Sequence, residues 1–309
     1  MDSAWLEDFL ALVDGGHFSR AAEQRGITQR AFSRRVRALE DWVGGPLFDR
    51  ESQPVTLTPA GIRFRPVAEE TLRRLYQGRE AAREAGRAAA ETLRFASTQA
   101  LSLTFFPRWL QALEARESFS ATVHLTAAHM AACEQVMLRG EAQFLLCHHH
   151  PAAASFLMSD QFHNLPVGAD RLLPVSAPEA GGTAPLFSLS APSDTPVPLL
   201  SFSGESGIGR ILAATRAVEE SGARLSPSFT SHLASVLVAM ARAGRGLAWA
   251  PMSLVADDLA RGTLVRAAPA ERDVAIEIRL YRARARQSPP AERLWAALAR
   301  GPGPAEGTV

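Results

Sequence analysis

Apolar residues near the start of the chain recur at helical spacing and stop at turn residues. Trp5, Phe9, Leu10 and Val13 mark one amphipathic helix. Phe18, Ala21 and Ala22 mark a short second helix through Arg25, which Gly26 ends by taking a positive φ. Ile27 is a small-loop hydrophobe, and Thr28 is a good N-cap for a third helix from Gln29 to about Trp42. That helix buries Ala31, Phe32, Val36 and Leu39, with Trp42 at its end. Two short extended runs, 47–50 and 55–57, flank Glu51 to Pro54 as a small β-wing. Residues 62–90 form a long helix with Pro66 in its first turns. Its stripe of Leu72, Leu75 and Ala82, with Phe64 and Ala68 ahead, has no core of its own and needs a partner.

From Thr92 the pattern changes to strands alternating with helices, which predicts an α/β architecture. Strands are expected at 93–96, 122–125, 144–147, 171–175, 197–202, 246–251 and 274–281. Residues 97–102 are expected as a loop into a helix ending near Leu113, with further helices at 131–138, 207–220, 233–243, 254–260 and 290–300. Crossovers near Leu165-Pro166 and 270–273 divide this region into two lobes, and 177–196 form a surface loop. The expected organisation is a winged helix-turn-helix at 1–61, a linker helix at 62–90, a two-lobed domain at 91–300 and a flexible tail at 301–309.

Charge sharpens the reading of the third helix. Formal net charge is only +1, so affinity for a polyanion must come from local clustering. Every one of the 33 basic residues is arginine. Arg25, Arg30, Arg34, Arg35 and Arg37 meet no carboxylate in sequence until Glu40. A helix pair joined by a tight glycine turn, with long donors on the second helix, is the plan that enters a DNA major groove. Thr28, Gln29, Arg30, Ser33, Arg34, Arg35 and Arg37 are the candidate DNA contacts, and Arg50 in the wing is placed to reach a phosphate.

Three segments carry a family resemblance: FSRAAEQRGITQRAFSRRVRALE (18–40), GGPLFDR (44–50) and LTPAG (57–61). Together they resemble the LysR-type transcriptional regulators. The resemblance implies a two-lobed effector domain like periplasmic binding proteins, a double-stranded operator with inverted repeats, and linker-helix pairing into a homodimer or homotetramer. It implies no cofactor and no catalysis, and it admits RNA polymerase as a partner. Arg30 and Arg35 depart from residues common in the family, adding cationic donors to the reading helix. FSRRVRALE with LRFASTQALSLTFFPRWL also resembles the hypochlorite-responsive subgroup, although none of the six methionines falls on that group's proposed trigger positions.

The cleft between two such lobes is the expected effector site, because strand ends and helix starts converge there. Thr98, Gln99 and Ser102 stand at one helix start, Ser203 in the matching loop of the second lobe, and Thr230 with His232 before another helix. These six residues are the candidates for a small polar effector. Glu205 leaves the ligand's charge open. Cys133 and Cys147 are the candidates for an oxidant-responsive alternative. The run Cys147-His148-His149-His150 has soft donors, yet neighbouring residues on a strand face opposite ways and are poor joint ligands, so no metal is expected. A solute-binding transport protein would share the two lobes, but the acidic start lacks the basic segment of an export signal, so a cytoplasmic protein is expected. No motif of an acyl-transfer enzyme such as G-x-S-x-G is present.

Overall fold

The computed structural model describes residues 2–86, 92–116, 121–153, 155, 157, 161–190 and 195–300. The chain divides into two compact units, one of residues 1–88 with 138–141 and one of the remainder.

In the first unit α1 (Ser3–Gly15), α2 (Phe18–Gln24) and α3 (Gln29–Val43) precede β1 (Phe48–Asp49), β2 (Thr56–Leu57) and α4 (Pro59–Gly86). The expected caps form: Thr28 Oγ1 accepts from Ala31 N at 3.3 Å, and Gly26 takes φ +65°. Phe9, Leu12, Phe32, Val36, Leu39 and Leu47 are fully enclosed in one core. The wing is an antiparallel pair with Phe48 opposite Leu57. At Gly61 a Cβ would lie 2.1 Å from the Leu47 carbonyl oxygen, so only glycine allows α4 to start this close to the wing. Trp42 is exposed instead of closing the packed face of α3, and Val43 packs there.

The stripe expected on the long helix divides. Leu72 joins Ala68 in the core of this unit, whereas Leu75 is 51 % exposed, as are Ile62 and Val67 to a similar degree. Leu72 and Leu75 lie about 60° apart around the helix, and the edge of the buried face passes between them. The side chain of Ala82, residues 87–90 and the tail 301–309 lie outside the described residues.

The second unit follows the expected α/β order. Its elements are β3 (Thr92–Thr98), α5 (Gln99–Thr104), α6 (Phe106–Arg116), β4 (Thr122–Ala128), α7 (Met130–Leu138), β5 (Phe144–His149), β6 (Phe162–Ser176), β7 (Val197–Phe202), α8 (Gly207–Ala214), β8 (Leu225–Ser231), α9 (Ala234–Arg242), β9 (Ala248–Pro251), α10 (Met252–Arg261), β10 (Val265–Arg266), β11 (Val274–Ala283) and α11 (Pro289–Arg300). One sheet runs β10-β6-β11-β5-β3-β4 with β9 also on β6, and β7-β8 form a separate parallel pair. β3 is parallel to β4 and β5, while β11 is antiparallel to β5 and β6. The first lobe packs Phe95, Phe106 and Phe144 beside Leu280 and Leu294. The second packs Leu199, Ile211 and Trp249, with Leu200, Leu237 and Val238 in a neighbouring cluster.

Three expectations change here. The segment near Leu165-Pro166 is no separate crossover but part of β6, paired with β11 from Phe162 to Leu172 with a register shift at Ile278/Arg279. Pro166 stands beside that irregularity, where a missing N–H is tolerated. Residues 99–102 are helix, not loop, because α5 starts directly at the end of β3. Thr230 and Ser231 lie in β8, a strand whose largely exposed residues give no hydrophobic signal.

Candidate DNA-reading helix and effector cleft

α3 presents its side chains in two electrostatic classes. Arg30, Arg34 and Arg37 are exposed and make no ion pair among the described residues. Gln29 is exposed and Ser33 half-buried beside them. Arg35 is not free: its Nη1 lies 3.4 Å from Asp8 Oδ2 of α1. Arg25 donates to the same fully buried Asp8 at 2.8 Å and also pairs with Glu7. The carboxylates that neutralise two of the five arginines thus come from α1, remote in sequence.

Arg50, exposed on the wing, is also ion-paired. Its Nη2 donates to Glu40 Oε2 at 2.7 Å, and its guanidinium carbon lies 5.3 Å from the Phe18 ring centroid. Glu40 Oε1 accepts from the backbone N–H groups of Leu47 and Phe48 at 3.0 and 3.3 Å. Arg50 therefore tethers the wing to α3 through a carboxylate.

Between the lobes of the second unit lies a cleft of about 410 Å³, counted out to solvent. Four helices begin on its wall: α5 at Gln99, α7 at Met130, α8 at Gly207 and α9 at Ala234. Each brings the positive end of its dipole, although the N–H groups of Ala131, Ala132 and Gly209 already donate to the Glu205 carbonyl, His129 Nδ1 and Ser206 Oγ. No carboxylate lines it among the described residues. Of the six expected contacts, Thr98, Gln99 and His232 line this cleft. Ser102, Ser203 and Thr230 do not. Ser102 Oγ donates back to the Gln99 carbonyl at 2.8 Å, Ser203 Oγ is buried outside the lining, and Thr230 is exposed on β8.

Sequence reasoning missed His129, His148 and Ser206 on this wall. His129 precedes a helix start, the same signal that singled out Thr98. Its Nδ1 accepts from Ala132 N at 3.2 Å, which leaves the proton of the neutral ring on Nε2 as a donor. The His129 and His232 rings stand edge to face with centroids 5.1 Å apart. Thr98 Oγ1 and His148 Nε2 are buried without a hydrogen-bond partner among the described residues. His148 Nε2 lies 3.5 Å from Asp170 Oδ2, too poorly aligned for a hydrogen bond. Burial works against the charge on Asp170, yet His148 and the Ser253 hydroxyl hold its carboxyl below the usual range. Arg210 of α8 joins the lobes, donating to both carboxylate oxygens of buried Glu134 on α7 at 2.9 Å.

The two thiols are enclosed. Cys133 Sγ donates to the Ser97 carbonyl at 3.3 Å, and burial pushes its pKa up to about 12. Cys147, in the middle of the sheet on β5, is pushed higher still by the same cause. Neither offers a thiolate near neutral pH. Among the described residues no group of three or more His, Cys, Asp or Glu side chains is arranged to hold a metal ion. No described helix is long and apolar enough to cross a membrane.

Two family models match the chain. Residues 3–62 match the bacterial regulatory helix-turn-helix protein, lysR family, and residues 86–302 match the LysR substrate binding domain. The HTH-type transcriptional regulator YjiE of Escherichia coli (strain K12) is 29% identical over 298 residues, spanning 96% of this chain and 94% of YjiE. The crystal structure of Vibrio fischeri DarR in complex with DNA superposes with TM-score 0.58 at 29% identity, covering 98% of this chain and 99% of DarR. Full-length HypT of Salmonella typhimurium, a hypochlorite-specific LysR-type regulator, gives TM-score 0.58 at 29% identity over 96% of this chain and 97% of its own.

Proposed function

This chain belongs to the LysR family of bacterial transcriptional regulators, and we propose that it reads an inverted-repeat operator with Gln29, Arg30, Ser33, Arg34 and Arg37 of α3 while an interlobe ligand sets its response. DNA binding by the relative DarR supports the first half of this reading. The observation that carries it is the set of three exposed arginines on α3 without an ion pair among the described residues, against Arg25, Arg35 and Arg50, which carboxylates hold. The protein acts as a homodimer or homotetramer in the cytoplasm, binding without catalysis.

The effector is a small molecule with an acidic or strongly accepting group. Helix starts, the Thr98 hydroxyl and the His129 Nε2–H all face it as donors. Glu205, which left the ligand's charge open in the sequence, is absent from the lining. An oxidant response through cysteine is not favoured, since both thiols are buried and protonated.

Thr98→Val keeps shape and branching while removing the hydroxyl. In a promoter-reporter assay across small carboxylates the wild type should respond to at least one. The Thr98→Val chain should need about tenfold more of it, with effector-free operator affinity unchanged. A response that survives Thr98→Val but is lost in Cys133→Ser would overturn the cleft reading.

A further inference from the structure

A second cavity, of about 640 Å³ counted out to solvent, opens within the second lobe. Its walls include Leu199, Leu200 and Phe202 of β7, Leu212 and Ala213 of α8, and Trp249 of β9. The N-terminal half of α8 presses closely on the loop after β7: a Cβ at Gly209 would lie 2.8 Å from the Ser203 carbonyl oxygen. Further along, Ala213 is exposed on α8 and also lines the cavity. The hollow is lined mostly by apolar side chains and stands open to solvent, the kind of concave surface that takes a small ligand.

The lining residues with polar side-chain atoms are Ser201, Glu219 and Trp249. Trp249 is only 2 % exposed, and its indole Nε1 is buried without a hydrogen-bond partner among the described residues. A buried tryptophan N–H ordinarily finds an acceptor. At the rim stands Glu219, its carboxylate 3.0 Å from Arg216 Nε. Glu219 and Arg216 together leave no net charge at the rim, so the apolar lining favours an uncharged occupant, unlike the donor-lined cleft.

We propose that this cavity is a second ligand site, taking an uncharged aromatic or branched aliphatic molecule whose single carbonyl oxygen accepts from Trp249 Nε1. The occupant covers Leu199, Leu212 and Phe202 with its apolar body. It is distinct from the interlobe effector in both place and charge.

The full-length chain labelled with 5-fluorotryptophan tests this, because only five tryptophans are present and the Trp249 resonance is assigned by its loss in Trp249→Phe. Acetophenone should shift the Trp249 fluorine signal saturably. Ethylbenzene, of similar shape without the carbonyl, should bind about tenfold more weakly, and benzoate weaker again. Ala213→Leu should weaken acetophenone about tenfold while circular dichroism confirms the fold. By calorimetry, Trp249→Phe should remove the preference for acetophenone over ethylbenzene. No saturable shift, equal binding of acetophenone and ethylbenzene, benzoate binding as tightly as acetophenone, or undiminished binding in a folded Ala213→Leu chain would each overturn the proposal.

Discussion

Arginine serves two opposite purposes in the first unit, and the neighbouring carboxylates decide which. Arg50 and Glu40 hold the wing, whereas Arg34 is exposed near the start of the reading helix. Arg34→Ala should cost about 1–3 kcal/mol of discrimination between operator and mismatched sites, measured by competition gel shift. Arg50→Ala should lower unfolding stability by about 1.5–3 kcal/mol, because Glu40 loses a charged partner in a half-buried place. Its salt slope of DNA binding should stay unchanged; a slope lower by about one would restore Arg50 as a phosphate contact. The cysteines make a second prediction at this scale. Burial raises the pKa of Cys133 to about 12, so at pH 8 its thiolate fraction is on the order of 10⁻⁴. Iodoacetamide at pH 8 should leave Cys133 and Cys147 unmodified in the native chain, and rapid alkylation seen by mass spectrometry would reopen thiol sensing.

At the scale of elements, α4 divides its apolar residues between two duties. Leu72 is a core residue of its own unit, and Leu72→Ala should destabilise the chain by about 2–5 kcal/mol through the cavity it leaves. Leu75 is exposed and free to meet a second copy. Leu75→Asp should shift the sedimentation profile toward monomer at micromolar concentration, because a charge buried in that contact is uncompensated. Melting behaviour of the Leu75→Asp monomer should change little. If Leu75→Asp leaves the assembly intact, the exposed face of α4 is not the main interface.

On the scale of the second unit, the two lobes are joined by a ribbon and a latch. The ribbon is β6 paired with β11, in place of two independent flexible crossings. Rotation of one lobe must bend this paired ribbon, and the irregularity at Ile278/Arg279 is where its ladder is already interrupted. The latch is Arg210 on Glu134, a carboxylate that is 1 % exposed. Arg210→Gln removes the charge pair beside the starts of α7 and α8. Amide exchange at those helix starts should quicken, by about tenfold for a loss of 1.4 kcal/mol. Exchange unchanged there would mean that the pair does not hold the lobes together.

What the sequence determined by itself is what depends on near neighbours. The end of α2 and the start of α3 follow from Gly26 and Thr28, whose preferences are local, and the structure keeps them. Alternation of strand and helix after Thr92 fixed the fold class for the same reason, since periodicity is a local record of burial. Thr98, Gln99 and His232 were legible as residues at helix starts, and His129 carried the same signal unused. Only the tertiary structure decided which arginines are free, because Asp8 reaches Arg25 and Arg35 from another helix. It likewise placed Leu72 inside and Leu75 outside, since a helix face is assigned by what packs on it. The first half of β6 and all of β8 escaped the pattern because backbone pairing across the chain, not their own side chains, makes them strands. The donor-lined cleft and the unpaired Trp249 N–H arise where several elements meet, and no window of sequence contains such a meeting.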